Sequence, residues 1–484
     1  MPDILLIKES NMKRLIALFL AAGLILSTST AAQAVDFKVK GLSQHRLSWA
    51  DRNFTKGNGD DNFKAASRLR TTIEAVVSES LKGVVFLEVG HQNWGVSRDG
   101  ASLGTDGKQV KVSWSYVDWS VPKTETRVRM GLQPYTLPTF TGTGSPILDG
   151  DGAGISISNR FSENVEGTLF WIRPGNDNAS EETGKRDPHD AMDFIGVTLP
   201  LSLEGLKVIP WGMYGIIGRD SLHGSAGDLE VAAAGLLPQL ATPSIVSLSD
   251  DAHGDAWFGG VASELTVLDP FRFAFDAAYG SVDIGSAPVN GRKIDVKRSG
   301  WYAAFLAEYK MENVTPGLLF WYASGDDANP WNGSERMPSL DPDVYVTSYG
   351  FDGTYYGGAA QTMGYGLSGT WAVMAQLSDI SFLEDLKHTV RVVYYQGTNN
   401  TQMVREKSVT NPQDTMYSML YLTTEDKAFE VNVDSSYKIY ENLSLYWELG
   451  YIRLDMDEAL WKNSVGYEAN KNNFKCTLSM IYTF

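Results

Sequence analysis

The last segment of the chain alternates between apolar and polar side chains up to its final residue. The apolar positions are Phe474, Cys476, Leu478, Met480, Tyr482 and Phe484. The positions between them are polar, except for Ile481. Because successive side chains of a β-strand point to opposite faces, this spacing predicts a strand with one apolar and one polar face. A strand of a soluble β-sandwich has the same period, so the segment alone leaves two classes of fold open.

The other end of the chain has the pattern of a secretory signal. Residues 13–26 combine a basic pair with an apolar run, and small residues follow up to Ala34. A basic start, a short apolar stretch and an A-x-A-like site are the three parts of a signal peptide. The run is too short to span a bilayer as a helix. We expect residues 1–34 to be removed on export, residues 1–11 to come from an upstream start site, and residues 35–484 to form the mature protein.

Composition excludes several classes of protein. Outside the signal there is no continuous apolar run of about 20 residues, so no transmembrane helix is expected. The formal net charge of −17 argues against nucleic acid as a partner. The single cysteine, Cys476, allows no intrachain disulfide. The remaining classes are an exported soluble protein and a β-barrel, in which lumen-facing residues dilute the lipid-facing ones.

Short alternating segments recur along the chain, separated in turn by tight turns and by long polar loops. We predict tight turns at 79–83, 122–125, 162–164, 268–270, 311–313 and 440–442, and long loops at 51–62, 95–109, 134–153, 174–192, 218–256, 282–299, 325–363, 397–427 and 455–473. This pattern is typical of outer-membrane barrels. The sequence therefore predicts an all-β fold, a single transmembrane antiparallel β-barrel of about eighteen strands, with sixteen as the alternative count. Its turns would be periplasmic, its long loops external, and its lumen a water-filled channel.

The two faces of the predicted strands differ in charge, as where Arg127 and Arg129 alternate with Met130. An Arg or Lys at the bilayer midplane costs about 2–4 kcal/mol, so the charged faces should line the lumen. The basic side chains predicted to form one wall of the channel are Lys38, Lys40, Arg46, Arg68, Arg70, Arg127, Arg129 and Arg160. The alternative is that the arginines form local ion pairs with Glu74 and Glu88.

The loop at 134–153 is long, yet its only charges are Asp149 and Asp151. Its apolar residues, which a solvated external loop would not need, are Leu137, Phe140, Ile147 and Leu148. We expect this third external loop to fold into the lumen. Two carboxylates facing a row of cations would place a transverse field across a narrow aqueous gap and favour small polar solutes. Asp149 and Asp151 are therefore the predicted constriction.

Three segments carry a resemblance to a known family: Val35-Asp36-Phe37-Lys38-Val39-Lys40-Gly41, Arg127-Val128-Arg129-Met130-Gly131-Leu132-Gln133-Pro134, and Met480-Ile481-Tyr482-Thr483-Phe484. In these segments the mature chain resembles the outer-membrane homotrimeric porin family of sulfate-reducing bacteria. The resemblance implies a homotrimer in the outer membrane, surrounded by lipid and lipopolysaccharide, that passes small hydrophilic solutes. Tyr482 and Phe484 would form the signal read by the barrel-assembly machinery. No substrate-specific signature carries over, and no run of aromatic residues marks a path for sugars.

Other functions are open at this point. A substrate-selective channel is the first alternative to a general porin, followed by a barrel enzyme and a soluble exported β-sandwich binding protein. The six histidines stand in no H-E-x-x-H frame, and the chain has no G-x-S-x-G frame. We therefore expect no catalytic residues, no cofactor and no specific metal site, although acidic loops could bind divalent cations beside lipopolysaccharide.

Overall fold

The computed structural model describes residues 35–51, 62–104, 107, 110–176, 191–223, 227–351, 363–364, 366–410, 420–464 and 472–484. The predicted signal peptide at 1–34 lies outside the described residues, as do parts of several predicted external loops. No helix in the described ranges is long and apolar enough to cross a membrane.

Eighteen antiparallel strands in the described part of the chain form one closed sheet. They are β1 (Asp36–Ala50), β2 (Asn62–Ser78), β3 (Leu81–Asn93), β4 (Lys111–Ser120), β5 (Thr126–Thr136), β6 (Asp149–Arg160), β7 (Glu166–Asn176), β8 (Ala191–Thr198), β9 (Leu206–Gly218), β10 (His253–Leu265), β11 (Phe271–Val289), β12 (Arg292–Tyr309), β13 (Thr315–Ala323), β14 (Thr370–Leu383), β15 (Leu386–Gly397), β16 (Lys427–Tyr440), β17 (Leu443–Asp455) and β18 (Asn472–Thr483). Each strand pairs with its neighbours in sequence, and β18 pairs with β1. Closure pairs the backbone of both edge strands, which a sheet surrounded by lipid requires. The predicted fold and the count of eighteen are confirmed.

Smaller elements lie in the connections between these strands. They are the helices α1 (Gly227–Leu236), α2 (Pro243–Val246), α3 (Gln402–Arg405) and α4 (Glu458–Trp461), 3₁₀ turns at Ser97–Asp99 and Ser221–His223, and short strands at Thr143–Ser145, Leu201–Leu203 and Asp343–Tyr345.

The connections differ in length between the two ends of the barrel. One end, here called the turn end, has the connections 79–80, 121–125, 161–165, 199–205, 266–270, 310–314, 384–385 and 441–442. The predicted tight turns all fall on this end. The opposite end, the loop end, carries most of the long connections, as predicted.

The prediction of a long external loop at 282–299 is wrong, because this segment forms a β-hairpin. Strands β11 and β12 continue to a two-residue turn at Asn290 and Gly291. Both residues have positive φ, 49° and 77°, as a tight hairpin turn that matches the twist of its strands needs. Ile284 and Val296 are buried on the inner side of the hairpin. Apolar alternation therefore outweighs the turn-like composition of this segment.

The outward face of the barrel is apolar and ends in aromatic residues. Those toward the loop end include Trp257, Tyr279, Trp301, Tyr394, Phe429 and Phe474, with the half-buried Trp371 beside Tyr394. Those toward the turn end include Phe37, Trp119, Phe161, Phe271, Tyr437 and Tyr482. Aromatic belts of this kind lie at the two interfaces of a bilayer.

The described parts of three loops fold into the lumen and form the core of the protein. They are loop 3 (137–148), loop 5 (219–223 and 227–252, with α1) and loop 7 (324–351, 363–364 and 366–369). Their buried side chains include Leu137, Ile147, Leu236, Val346 and Phe351. The predicted inward fold of the third external loop is confirmed, but the loop is shorter than the predicted 134–153, because the flanking strands reach Thr136 and Asp149 and place Asp149 and Asp151 on β6. Loops 5 and 7 were predicted only as external.

The C-terminal residue completes the seam between β18 and β1. The Phe484 N–H donates to the Gly41 carbonyl at 3.0 Å, and the Gly41 N–H donates to the Phe484 carbonyl at 2.8 Å. We predict that deleting Phe484 lowers the yield of assembled barrel severalfold, because the seam loses both bonds and the terminal aromatic. Heat-modifiable migration of outer-membrane fractions measures this yield. Phe484→Tyr should assemble normally, and normal assembly of the deletion would exclude the role.

Candidate functional site

Loop 3 crosses the lumen and is anchored on the opposite wall. The Asp276 carboxylate of β11, only 4% exposed, accepts the backbone N–H groups of Phe140 at 3.0 Å and Thr141 at 2.8 Å. It also accepts the hydroxyls of Thr139, at 2.6 Å, and Thr141. Arg272 donates to the Phe140 carbonyl at 3.0 Å. Charge-assisted hydrogen bonds in a buried site are strong, so the loop is held in one position.

Loop 7 extends this partition by pairing with loop 3. Thr143–Ser145 and Asp343–Tyr345 form a two-stranded antiparallel sheet. Next to it, the Asp149 N–H donates to the Asp341 carbonyl at 2.7 Å. A Cβ at Gly150 would lie 1.8 Å from a carboxylate oxygen of Asp341. Any larger residue at this position would therefore force the Asp341 side chain to move.

The tip of loop 7 is fixed to the wall by the buried Glu430 of β16. Its carboxylate accepts the N–H groups of Tyr349 at 3.2 Å and Gly350 at 3.0 Å. The hydroxyls of Thr347, at 3.1 Å, and Tyr395, at 2.5 Å, donate to it as well. Loop 7 is thus held against β15 and β16, and open space remains on the side of β1 to β6.

That space is a cavity of about 910 Å³. Lys40 and Arg70 line it from the wall formed by β1 and β2. Four carboxylates line it from β6 and loop 7: Asp149, Asp151, Asp341 and Asp343. Opposite charges thus border one aqueous space. The four carboxylates are here called the acidic edge, and two of them, Asp341 and Asp343, were not among the residues predicted to form the constriction.

A second cavity of about 280 Å³ adjoins the first at Pro134, which lines both. Arg127 and Arg129 line it, together with the small polar side chains Ser156 and Ser158. The two cavities give the β1 to β8 side of the lumen a polar, partly charged inner surface.

The local ion pairs left open by the sequence are present on β1 to β3. Arg68 and Arg70 both donate to the Glu88 carboxylate, at 2.7 and 2.8 Å. The Lys40 ammonium lies 3.6 Å from the Glu74 carboxylate. Of these cations, Lys40 and Arg70 also line the larger cavity.

Arg127 and Arg129 share an ion-pair partner, Asp118, that was not predicted from the sequence. Both contact Asp118 of β4, whose side chain is 3% exposed, with Arg129 at 3.2 Å. Asp118 lies opposite Arg129 in the register of β4 and β5, so strand parity could have revealed it. The remaining predicted basic residues, Lys38, Arg46, Arg68 and Arg160, line neither cavity.

Two aromatic side chains meet at the larger cavity. Phe86 of β3 and Trp114 of β4 are stacked, with ring centroids 4.4 Å apart and planes 27° apart. The Trp114 indole Nε1–H donates to the Asp151 carboxylate at 2.6 Å. The Arg70 guanidinium lies 5.8 Å from the centroid of the Phe86 ring. The residues are paired in the register of adjacent strands, which sequence spacing alone does not give.

Comparison with solved structures bears on the fold. OccAB3 of Acinetobacter baumannii is 13% identical, with a TM-score of 0.50, and the match covers 92% of this chain and 100% of that one. A BenF-like porin from Pseudomonas fluorescens is 9% identical, with a TM-score of 0.52, covering 93% and 98%. No family model matches the chain, and no curated protein matches it either. At this level of identity the likeness concerns architecture: the chain has the closed barrel fold of outer-membrane porins.

Proposed function

We propose that the protein is an outer-membrane channel for the passive diffusion of small hydrophilic solutes and ions. The observation that carries the proposal is a charged cavity of about 910 Å³ inside a barrel whose outer surface is apolar between two aromatic belts. The turn end would face the periplasm, and residues 1–34 would direct export. Outer-membrane lipid and lipopolysaccharide would surround the belts. No enzymatic activity is proposed.

The charges of the larger cavity favour cations. Four carboxylates border it against the two cations Lys40 and Arg70, and Arg70 shares its charge with Glu88. The local potential should therefore be negative and raise the cation concentration in the gap. Asp149 and Asp151 form the proposed constriction together with Asp341 and Asp343.

We predict that Asp149→Asn combined with Asp151→Asn lowers the preference of the channel for cations. The reversal potential in a KCl gradient should shift toward the value of an anion-selective channel. Half of the acidic edge loses its charge, while the side-chain volumes stay nearly the same. The shift should be largest in dilute salt, where the Debye length is about 30 Å at 0.01 M. Single-channel recording in planar bilayers measures both selectivity and conductance.

The matched control is Asp379→Asn with Asp385→Asn. These carboxylates lie toward the turn end, and both residues have positive φ, which Asn tolerates. This double variant should keep the parent reversal potential. If the Asp149→Asn, Asp151→Asn variant also kept the parent reversal potential, Asp149 and Asp151 would lie outside the ion path.

A channel selective for one solute class is the second candidate. The observation that favours it is the filling of much of the lumen by loops 3, 5 and 7. Liposome swelling distinguishes the two candidates. A general porin passes solutes at rates that fall smoothly with size, whereas a selective channel passes one class faster than its size allows.

We propose that the chain assembles as a homotrimer through the outward face of β1 and β2. His45 lies on this face, with Nε2 3.2 Å from the Ser43 hydroxyl and Nδ1 3.1 Å from the Ser67 hydroxyl. Polar groups are costly against hydrocarbon. On β11 to β14 the outward positions between the belts are instead apolar: Phe273, Phe275, Ala277, Ala303, Phe305, Ala307, Leu318, Phe320, Val373 and Ala375. The polar patch of Ser43, His45 and Ser67 within this otherwise apolar face therefore suits a protein neighbour better than lipid.

The expected mass in detergent is that of three chains, measured by light scattering after size exclusion. Ser43→Trp should reduce it to one chain, because a large side chain at the interface prevents close packing. Ala303→Trp, on the apolar side, should leave three. A parent protein that runs as a single chain would contradict the trimer.

A further inference from the structure

Phe86 and Trp114 differ in their surroundings from another aromatic pair on the inner wall, Trp321 and Tyr395. Trp321 and Tyr395 are fully buried beneath loop 7 and serve as core. Phe86 and Trp114 are only partly buried, and both line the 910 Å³ cavity. A pair that only filled space would be covered, so this pair presents aromatic surface to the channel.

The presented surface is held in place before any solute arrives. The hydrogen bond from Trp114 to Asp151 fixes the indole, and the Arg70 guanidinium packs over the ring of Phe86. A fixed ring loses little conformational entropy when a solute stacks on it. The cavity volume falls in the range of small-molecule sites.

The charged side chains around Phe86 and Trp114 can form hydrogen bonds with the hydroxyl groups of a solute. Carboxylates of Asp149 and Asp151 can accept hydrogen bonds at one side, and Lys40 and Arg70 can donate at the other. The flat C–H face of a pyranose ring would bury apolar surface against the indole. The four carboxylates at the same cavity disfavour an anionic solute.

We propose that the stacked pair of Phe86 and Trp114 is a binding step for neutral ring-shaped polyols, of which pyranose sugars are the simplest. The proposal rests on the proposed channel function and specifies the solute class that the cavity retains. The aromatic face selects a ring over an open chain, and the acidic edge selects a neutral ring over an anionic one.

The test is interruption of single-channel current by maltose, with sorbitol as an open-chain polyol and benzoate as an aromatic anion. Maltose should interrupt the parent current with at least tenfold higher affinity than sorbitol or benzoate. Trp114→Leu should weaken the maltose effect at least fivefold, and Trp114→Phe, which keeps a ring, should weaken it less. The matched control is Trp119→Leu, on the same strand but on the outward face, and it should behave as the parent.

Conductance in KCl alone distinguishes a failure of the channel from a failure of the polyol site. A parent that conducts but is not interrupted by maltose overturns the polyol site and leaves the channel standing. Equal maltose affinity in the parent and in Trp114→Leu also overturns it, and stronger binding of benzoate would reassign the aromatic face to anions. A reconstituted, heat-modifiable parent that does not conduct overturns both proposals. If Trp114→Leu does not assemble, Phe86→Leu gives the same comparison.

Discussion

Asp276→Ala is expected to release loop 3 from the far wall and to raise the single-channel conductance. The substitution leaves the buried N–H groups of Phe140 and Thr141 without their acceptor. Each unsatisfied buried donor costs about 1–3 kcal/mol, so the docked position should lose on the order of 2–6 kcal/mol. The loop should then move within the lumen, which planar-bilayer recording would show as a larger and noisier current. The sheet ladder is untouched, so heat-modifiability should persist.

Two further variants make this result specific. Asp276→Asn keeps an acceptor oxygen and should fall between the parent and Asp276→Ala. Asp283→Ala removes an exposed carboxylate from the same strand and should change nothing. Parent-like current in Asp276→Ala would mean that other contacts suffice to hold loop 3.

Arg298→Met is expected to loosen loops 5 and 7 together. The Arg298 guanidinium, with the residue 2% exposed, donates to the carbonyls of Ala234 at 2.7 Å and Leu237 at 3.2 Å. It also donates to those of Arg336 at 3.3 Å and Met337 at 3.0 Å. The end of α1 and a segment of loop 7 are thus joined through one side chain. A cation at a helix C-terminus also complements the helix dipole.

Methionine fills much of the same volume but donates no hydrogen bond. The stranded carbonyls should cost several kcal/mol, at about 1–3 kcal/mol each. Limited proteolysis with mass spectrometry should then show rapid cleavage in 227–246 and 330–345, while the barrel fragments survive. Lys297→Met removes the neighbouring, exposed charge and is the matched control. Protease resistance equal to the parent would show that Arg298 does not join the two loops.

The strands and their faces were predictable because lipid permits few choices. An outward position such as Met130 must be apolar, and its neighbours Arg127 and Arg129 must then face the lumen. Loop 3 was predictable for a related reason. Its apolar residues, Leu137 and Ile147 among them, have no use in solvent and indicate burial.

Loop 7 was not predictable because its docking depends on contacts distant in sequence. The carboxylate of Glu430 that holds Tyr349 lies 81 residues away. Val346 and Phe351 are scattered among Gly, Ser and Asp, without a period that marks a face. Two other features did leave signals: the Ala-rich run of α1, and the Asn290–Gly291 pair between alternating apolar residues.

The small sheet shared by loops 3 and 7 has a consequence for engineering. Its strands, Thr143–Ser145 and Asp343–Tyr345, come from distant hairpins, so neither exists as a paired unit on its own. Transplanting one loop into another barrel would carry an unpaired strand edge, which invites aggregation. The recipient would also need space beside Gly144, whose φ is +80° and where a Cβ would lie 1.8 Å from the Asp343 carbonyl. The two loops are therefore a single module and should be exchanged only as a pair.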